Sequence, residues 1–230
     1  MFASLNVQGS RRPPIPAALR QQVSPVVLAS ARTLPVLPGL SHLLPGGVLR
    51  RGTSTLVTGA PGSGATSLAV SLLAEASRLG HWCAAVGVDD PGVLAMAELG
   101  LDLRRVVFLP RLQGDWALAT AELLEGVELI LLALPRRVPH AAASQLVARA
   151  RERRAVLVLL ASTREVWPVP TELVVSIEGS SWQGAGLGDG RLSARRVEVL
   201  VEGRAAVRPT RRSLWLPSAR GRIALVEERT

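Results

Sequence analysis

The stretch that most limits how this chain can fold is Thr55-Leu56-Val57-Thr58-Gly59-Ala60-Pro61-Gly62-Ser63-Gly64-Ala65-Thr66-Ser67, a short apolar and β-branched run that breaks into a glycine loop and reopens as an apolar-periodic helix. A strand, a glycine turn and a helix in immediate succession have the layout of the phosphate-binding pattern G-x-x-x-x-G-K-[ST]. In that pattern glycines let backbone N–H groups curl round phosphates at a helix N-terminus, a lysine reaches the terminal phosphates, and a hydroxyl holds Mg²⁺. Gly59, Gly64 and Thr66 fit, and Gly62 and Ser67 complete the candidate cradle, but Ala65 stands at the lysine position. Losing the ammonium removes charge-assisted contacts of roughly 1.5–3 kcal/mol, about ten- to a hundredfold in nucleotide affinity if nothing replaces it. Arg50 or Arg51 are the nearby cations that could do so.

Downstream of the loop, strand and helix signals alternate. The helix Thr66–Leu79 carries Leu68, Leu72, Ala76 and Leu79 on one face, Arg78 in its last turn and Gly80 as its stop. Trp82–Val88 reads as a strand, and Asp89-Asp90-Pro91 as the cap of a helix from Pro91 to about Leu99. Val106–Leu109 is a strand, Asp115–Leu124 a helix capped by Asp115, Leu129–Leu134 a wholly apolar strand, His140–Arg154 a helix and Val156–Leu160 a further strand. Such alternation predicts an α/β fold, a doubly wound, mostly parallel sheet flanked by helices, with ligands at the carboxyl ends of the strands. Leu173–Ile177 and Arg196–Val201 read as strands added toward the C-terminus, antiparallel, and separated by a mobile glycine-rich loop, Gly179–Arg195. Glu202-Gly203 is then a hairpin turn into Arg204–Arg208.

The expected organisation is an N-terminal extension, residues 1–33, with a short helix near Pro16–Val23; a core, residues 34–205; and a basic C-terminal tail, residues 206–230. No apolar run reaches a membrane span and residues 1–16 lack the apolar stretch of a signal peptide, so a cytoplasmic location is expected. One cysteine excludes an internal disulfide and a cysteine-rich metal site, and Cys83 reads as a small core residue.

The formal net charge is +9, and all 27 basic residues are arginine. A basic excess favours contact with nucleic acid or an acidic partner. Candidate contacts are Arg149 and Arg153 on one helical face, Trp167 in a proline-flanked loop, and Arg211, Arg212, Trp215, Arg220 and Arg222 in the tail. Each has a plainer alternative: a solvated helix face, a packed tryptophan, and an edge strand docked on the core.

The glycine loop, the upstream Leu-Leu-Pro-Gly-Gly-Val-Leu-Arg-Arg-Gly and the order of strands resemble the RecA-like core of recombinases over about residues 40–205. The short length, N-terminal extension, degenerate loop and basic tail are most similar to ImuA-type proteins, RecA-like accessory factors of damage-induced mutagenesis. The resemblance implies a polymerase-like ImuB partner and, through it, an error-prone C-family polymerase. It also implies an acidic residue near Ala133, where an ATPase organises Mg²⁺, and a catalytic carboxylate where this chain has Asp89 and Asp90. Loss of both the lysine and the acid points to a pseudo-ATPase with no bound cofactor, a scaffold in translesion synthesis and the SOS response. The segments matching the recombinase DNA-binding loops, Pro135–His140 and Ser162–Pro170, are too short to wrap a strand, though Arg136, Arg137 and Arg164 could touch phosphates. The alternatives are a divergent DNA-stimulated ATPase or nucleotide switch that retains Mg²⁺-ATP, and a SulA-type regulator of cell division.

Overall fold

A strand that is apolar at every position has to be covered on both faces, and this condition governs the arrangement around the glycine loop. The computed structural model describes residues 32–89, 92–110, 115–185, 190–206 and 208–226. The chain divides between Arg32 and Thr33, and the second unit contains the fold described here; the helix expected near Pro16–Val23 lies outside the described residues. Its elements in order are β1 (Thr33–Pro35), α1 (Pro38–Ser41), β2 (Val48–Arg50), β3 (Ser54–Thr58), α2 (Ala65–Arg78), β4 (Cys83–Val86), α3 (Val93–Glu98), β5 (Val106–Leu109), α4 (Trp116–Leu123), β6 (Leu129–Ala133), α5 (His140–Arg153), β7 (Val156–Ala161), β8 (Leu173–Ala185), β9 (Gly190–Glu202), β10 (Thr210–Trp215) and β11 (Ala224–Leu225).

β1 and β2 form a small antiparallel ladder. The other strands build one nine-stranded sheet in the order β11-β10-β9-β8-β3-β7-β6-β4-β5. From β8 to β5 every pairing is parallel, and from β8 to β11 every pairing is antiparallel. The expected doubly wound α/β sheet with added C-terminal strands is therefore the observed fold.

Two apolar layers sandwich the sheet. Val57, Leu129, Leu131, Val156 and Val158 meet α2 through Leu68, Leu72 and Leu73 on one side. Leu56, Ile130, Leu132, Leu157 and Leu159 meet α5 through Ala143, Leu146 and Ala150 on the other. Alternate residues of the same strand thus enter different layers, at roughly 1.5–3 kcal/mol for each large side chain fully buried. Asp115 caps α4 as expected, accepting from the backbone N–H groups of Ala117 and Leu118. The cap expected for α3 is corrected: its N-cap is Gly92, in a left-handed conformation with no side-chain bond, while Asp90 and Pro91 lie outside the described residues.

Three expectations for the C-terminal part are overturned. Gly179–Arg195 is no simple loop: β8 and β9 pair as a long hairpin through Trp182↔Arg195 and Gln183↔Ala194. Its glycines are absorbed by register shifts at Ile177/Gly179 and Gln183/Ala185, where an extra residue bends the ladder. The strand expected at Arg204–Arg208 begins instead at Thr210. The segment expected as a basic tail, residues 206–230, contributes β10 and β11 to the sheet, so the docked-strand alternative holds for it. The reason is apolar: Leu214 and Leu216 are both fully buried in the α2-side layer.

Candidate functional site

The glycine loop opens from the carboxyl end of β3, the buried central strand, and closes onto the N-terminus of α2. The Ser63 N–H donates to the Ala60 carbonyl at 2.9 Å, and the Leu68 N–H to the Gly64 carbonyl at 2.9 Å, so the turn and the first helical turn are both formed. Gly64 is the N-cap residue with φ 101°, a conformation a side chain would strain. Gly59 is held by crowding: a Cβ there would sit 3.2 Å from the Ala65 methyl and 3.3 Å from Ile177 Cβ. Gly62 and Thr66 are exposed, and Ser67 is half-buried. The strand, the glycine turn and the helix start of the predicted motif are therefore present.

The groups that would act on a magnesium nucleotide are not. Ala65 is buried and carries no charge. Ala133 ends β6, two strands from β3, with Ala133, Leu160 and Val57 level in register across β7. Two strand spacings place it roughly 10 Å from the loop strand, where a carboxylate could reach a metal and a methyl cannot. Asp89 is exposed beyond the end of β4, a strand spacing further away, and Asp90 lies outside the described residues. Thr66 supplies the hydroxyl at the Mg²⁺ position of the motif, while Ala65 and Ala133 supply neither a charge nor a metal ligand.

Neither of the two arginines expected as a replacement cation reaches the loop. Arg50 pairs with Glu172 at 3.0 Å and Arg51 with Glu128 at 2.9 Å, at the amino ends of the strands and away from the loop. Instead Arg195, from β9, lays its guanidinium on the loop. Its Nη2 donates to the Gly62 carbonyl and, at 3.3 Å, to Ser180 Oγ. Its Nη1 lies 2.9 Å from where a Cβ on Gly64 would stand. Its outer face stacks on Trp182, the cross-strand partner, 5.2 Å from the ring centroid. Only 7 % of Arg195 is exposed, and no carboxylate pairs with it among the described residues. Burial pushes the guanidinium down from the ordinary arginine value.

A cleft of about 320 Å³ lies beside this contact, between Ala60–Ser63 and Ile177–Ser180. Glu178 lines it, and its carboxylate is engaged by Arg211 at 2.9 and 3.3 Å. Ser63 Oγ is buried in the loop with no hydrogen-bond partner.

The other candidate contact residues are not gathered at this site. Arg149 and Arg153 both grip Glu125, at 2.7 and 2.6 Å, so the pair is an intramolecular clamp between α5 and the turn after α4. Trp167 is 5 % exposed in the α5-side layer, packed as its plainer alternative held, with its indole N–H unpartnered. Arg212 is exposed on β10, Trp215 is half-buried, and Arg220 and Arg222 are exposed in the turn that follows. Arg136 and Arg137 are exposed at the carboxyl end of β6, and Arg164 pairs with Glu202.

Arg195 was missed by sequence reasoning because it falls in a glycine-rich stretch. A signal existed: Val197, Val199 and Val201 are buried at period two, and extending that parity back by one step puts Arg195 on the inward face.

The mostly parallel sheet covered by helices on both faces, with a glycine loop at the end of its central strand, is a RecA-like fold. The KaiC-like protein PH0186 from the hyperthermophilic archaeon Pyrococcus horikoshii OT3 superposes with a TM-score of 0.61 over 85% of this chain and 99% of that one, at 15% identity. Residues 42–168 match the MT3502 N-terminal domain family, and the chain belongs to it. It is 36% identical over 149 residues, 62% of this chain and 72% of the relative, to the uncharacterized protein Rv3395c of Mycobacterium tuberculosis strain H37Rv.

Proposed function

We propose that this chain is a non-catalytic RecA-fold accessory factor of the ImuA type, which works through its surfaces in translesion DNA synthesis and binds a polymerase-like ImuB partner. One observation carries the non-catalytic part: the glycine loop at Gly59–Ser67 is flanked by Ala65 and by Ala133, so charge and metal ligand are lost together. Hydrolysis of a nucleotide needs both positioning and neutralisation of developing charge, and these two positions supply neither. Short connections after β6 and β7 support a scaffold over a strand-exchange filament. The exposed Arg136, Arg137, Arg212, Arg220 and Arg222 provide auxiliary affinity for phosphates or an acidic partner surface.

The test is co-purification of the full chain with an ImuB-type protein, with ATP turnover assayed on single-stranded DNA. Expected are a stable complex, its loss when Arg212, Arg220 and Arg222 are changed together to Glu, and no turnover above the protein-free background. Turnover abolished by Thr66→Ala, or no complex at all, refutes the reading. Charge reversal is the appropriate perturbation because truncation at residue 205 would remove the core residues Leu214 and Leu216.

A further inference from the structure

Arg195 is a cation in surroundings that call for an anion. It has no carboxylate partner among the described residues, and it faces the N-terminus of α2, whose free N–H groups carry the equivalent of about half a positive charge. With the arginine 7 % exposed, the Gly62 carbonyl and the Trp182 ring face offset part of its charge, and an anion beside it would complete the compensation. The guanidinium also has donors to spare. Of its five N–H groups, those on Nη2 are engaged by Gly62 and Ser180, while Nη1 and Nε make no hydrogen bond among the described residues. The Ser63 hydroxyl, packed against Gly59 inside the same loop, is likewise unpartnered among the described residues. The one carboxylate that lines the adjoining cleft, Glu178, is neutralised by Arg211.

We infer that the glycine loop and Arg195 together form an oxyanion site whose cation is supplied by β9, and that it takes a phosphate-type anion, free or within a nucleotide, without a divalent metal. Arg195 thereby stands in for the missing lysine from the opposite direction: the lysine position lies on the helix, and the arginine reaches in from the hairpin. A guanidinium is suited to this role because its planar fork meets two phosphate oxygens at once. The cleft of about 320 Å³ is lined by Gly62 and Ser180, the two residues Arg195 bonds, and has room for one or two phosphoryl groups that Arg195 would meet from behind those residues. This inference concerns binding only, and is independent of whether an ImuB-type partner exists.

The experiment is calorimetric titration of the full chain, in EDTA, with inorganic phosphate, pyrophosphate and ATP as separate probes. Saturable binding of pyrophosphate is expected, weakened about ten- to a hundredfold in Arg195→Gln and unchanged in Arg191→Gln, an exposed arginine of the same hairpin. Pyrophosphate binding as tight as ATP would assign the site to inorganic anions, and tighter ATP binding to nucleotides; both outcomes support the site. No binding of any probe at millimolar concentration, binding only when Mg²⁺ is added, or binding undiminished in Arg195→Gln would overturn it. Should Arg195→Gln fail to fold, Trp182 is the reporter: pyrophosphate should change the fluorescence of the unsubstituted chain and not that of Trp182→Phe. An equal change in both would overturn the assignment.

Discussion

Leu214→Ala tests whether the basic C-terminal segment is part of the core. Leu214 lies on β10 between Ser213 and Trp215, pairs with Val197 of β9 and Leu225 of β11, and is fully buried. The substitution removes three carbon atoms from this environment, roughly 2.5 kcal/mol at about 0.8 kcal/mol per methylene. A cavity closed on one side by the α2-side layer relaxes only in part, which raises the cost toward the upper end of the roughly 2–5 kcal/mol range for such truncations. For a chain of this size 1 kcal/mol corresponds to about 2–4 °C, so the melting temperature should fall by about 5–20 °C, read by circular dichroism. Arg212→Ser, at an exposed position on the same strand, should stay within about 0.5 kcal/mol of the unsubstituted chain. A melting temperature that Leu214→Ala leaves unchanged would mean that β10 does not dock. Truncation at residue 205 would then leave the core intact.

Two further outcomes follow from the burial and charge of particular groups. Burial, with a smaller contribution from the Glu128 charge, pushes the Cys83 thiol up to about 12, so a thiol reagent at pH 8 should leave the folded chain unlabelled and label it on unfolding; rapid labelling of the folded chain would contradict the packing of β4. Burial raises the Glu128 carboxyl, but hydrogen bonds from His81 at 2.6 Å and Arg51 at 2.9 Å outweigh it and hold the group below the ordinary 4.5. The stability this contributes is present above pH 4.5 and is lost as pH falls through the depressed value, so Glu128→Gln should destabilise at pH 7 and converge with the unsubstituted chain in acid. Parallel denaturation curves across that range would show that the contact contributes nothing.

Much of the core was legible because its elements are marked locally. Leu129–Ala133 and Val156–Ala161 are apolar at every position, which by itself requires a strand covered on both faces, and their alternation with α4 and α5 implies parallel pairing. Asp115 announces a helix start through its own side chain, and Ala65 marks the lost cation by its place in a short motif. The glycine-rich hairpin was not legible in this way. Gly179, Gly184 and Gly190 carry a turn-like composition, and only the pairing of β8 with β9, together with its register shifts, makes strands of them. Helical spacing places Arg149 and Arg153 on one face of α5, but their shared partner Glu125 lies 24 residues from Arg149 and is not marked locally.

The sequence by itself determined the alternating α/β architecture, the strand-loop-helix at Gly59–Ser67, and the absence of a lysine at position 65 and of an acid at position 133. These are properties of near neighbours: periodicity, caps, and the residue type at a motif position. Only the tertiary structure decided what stands against the loop. Arg195 lies 133 residues from Gly62, and the guanidinium reaches that carbonyl because β8 pairs with β3 and then turns back as β9. The same long-range pairing turned a basic tail into a sheet strand, since Leu214 and Leu216 lose contact with water only when β9 lies beside them.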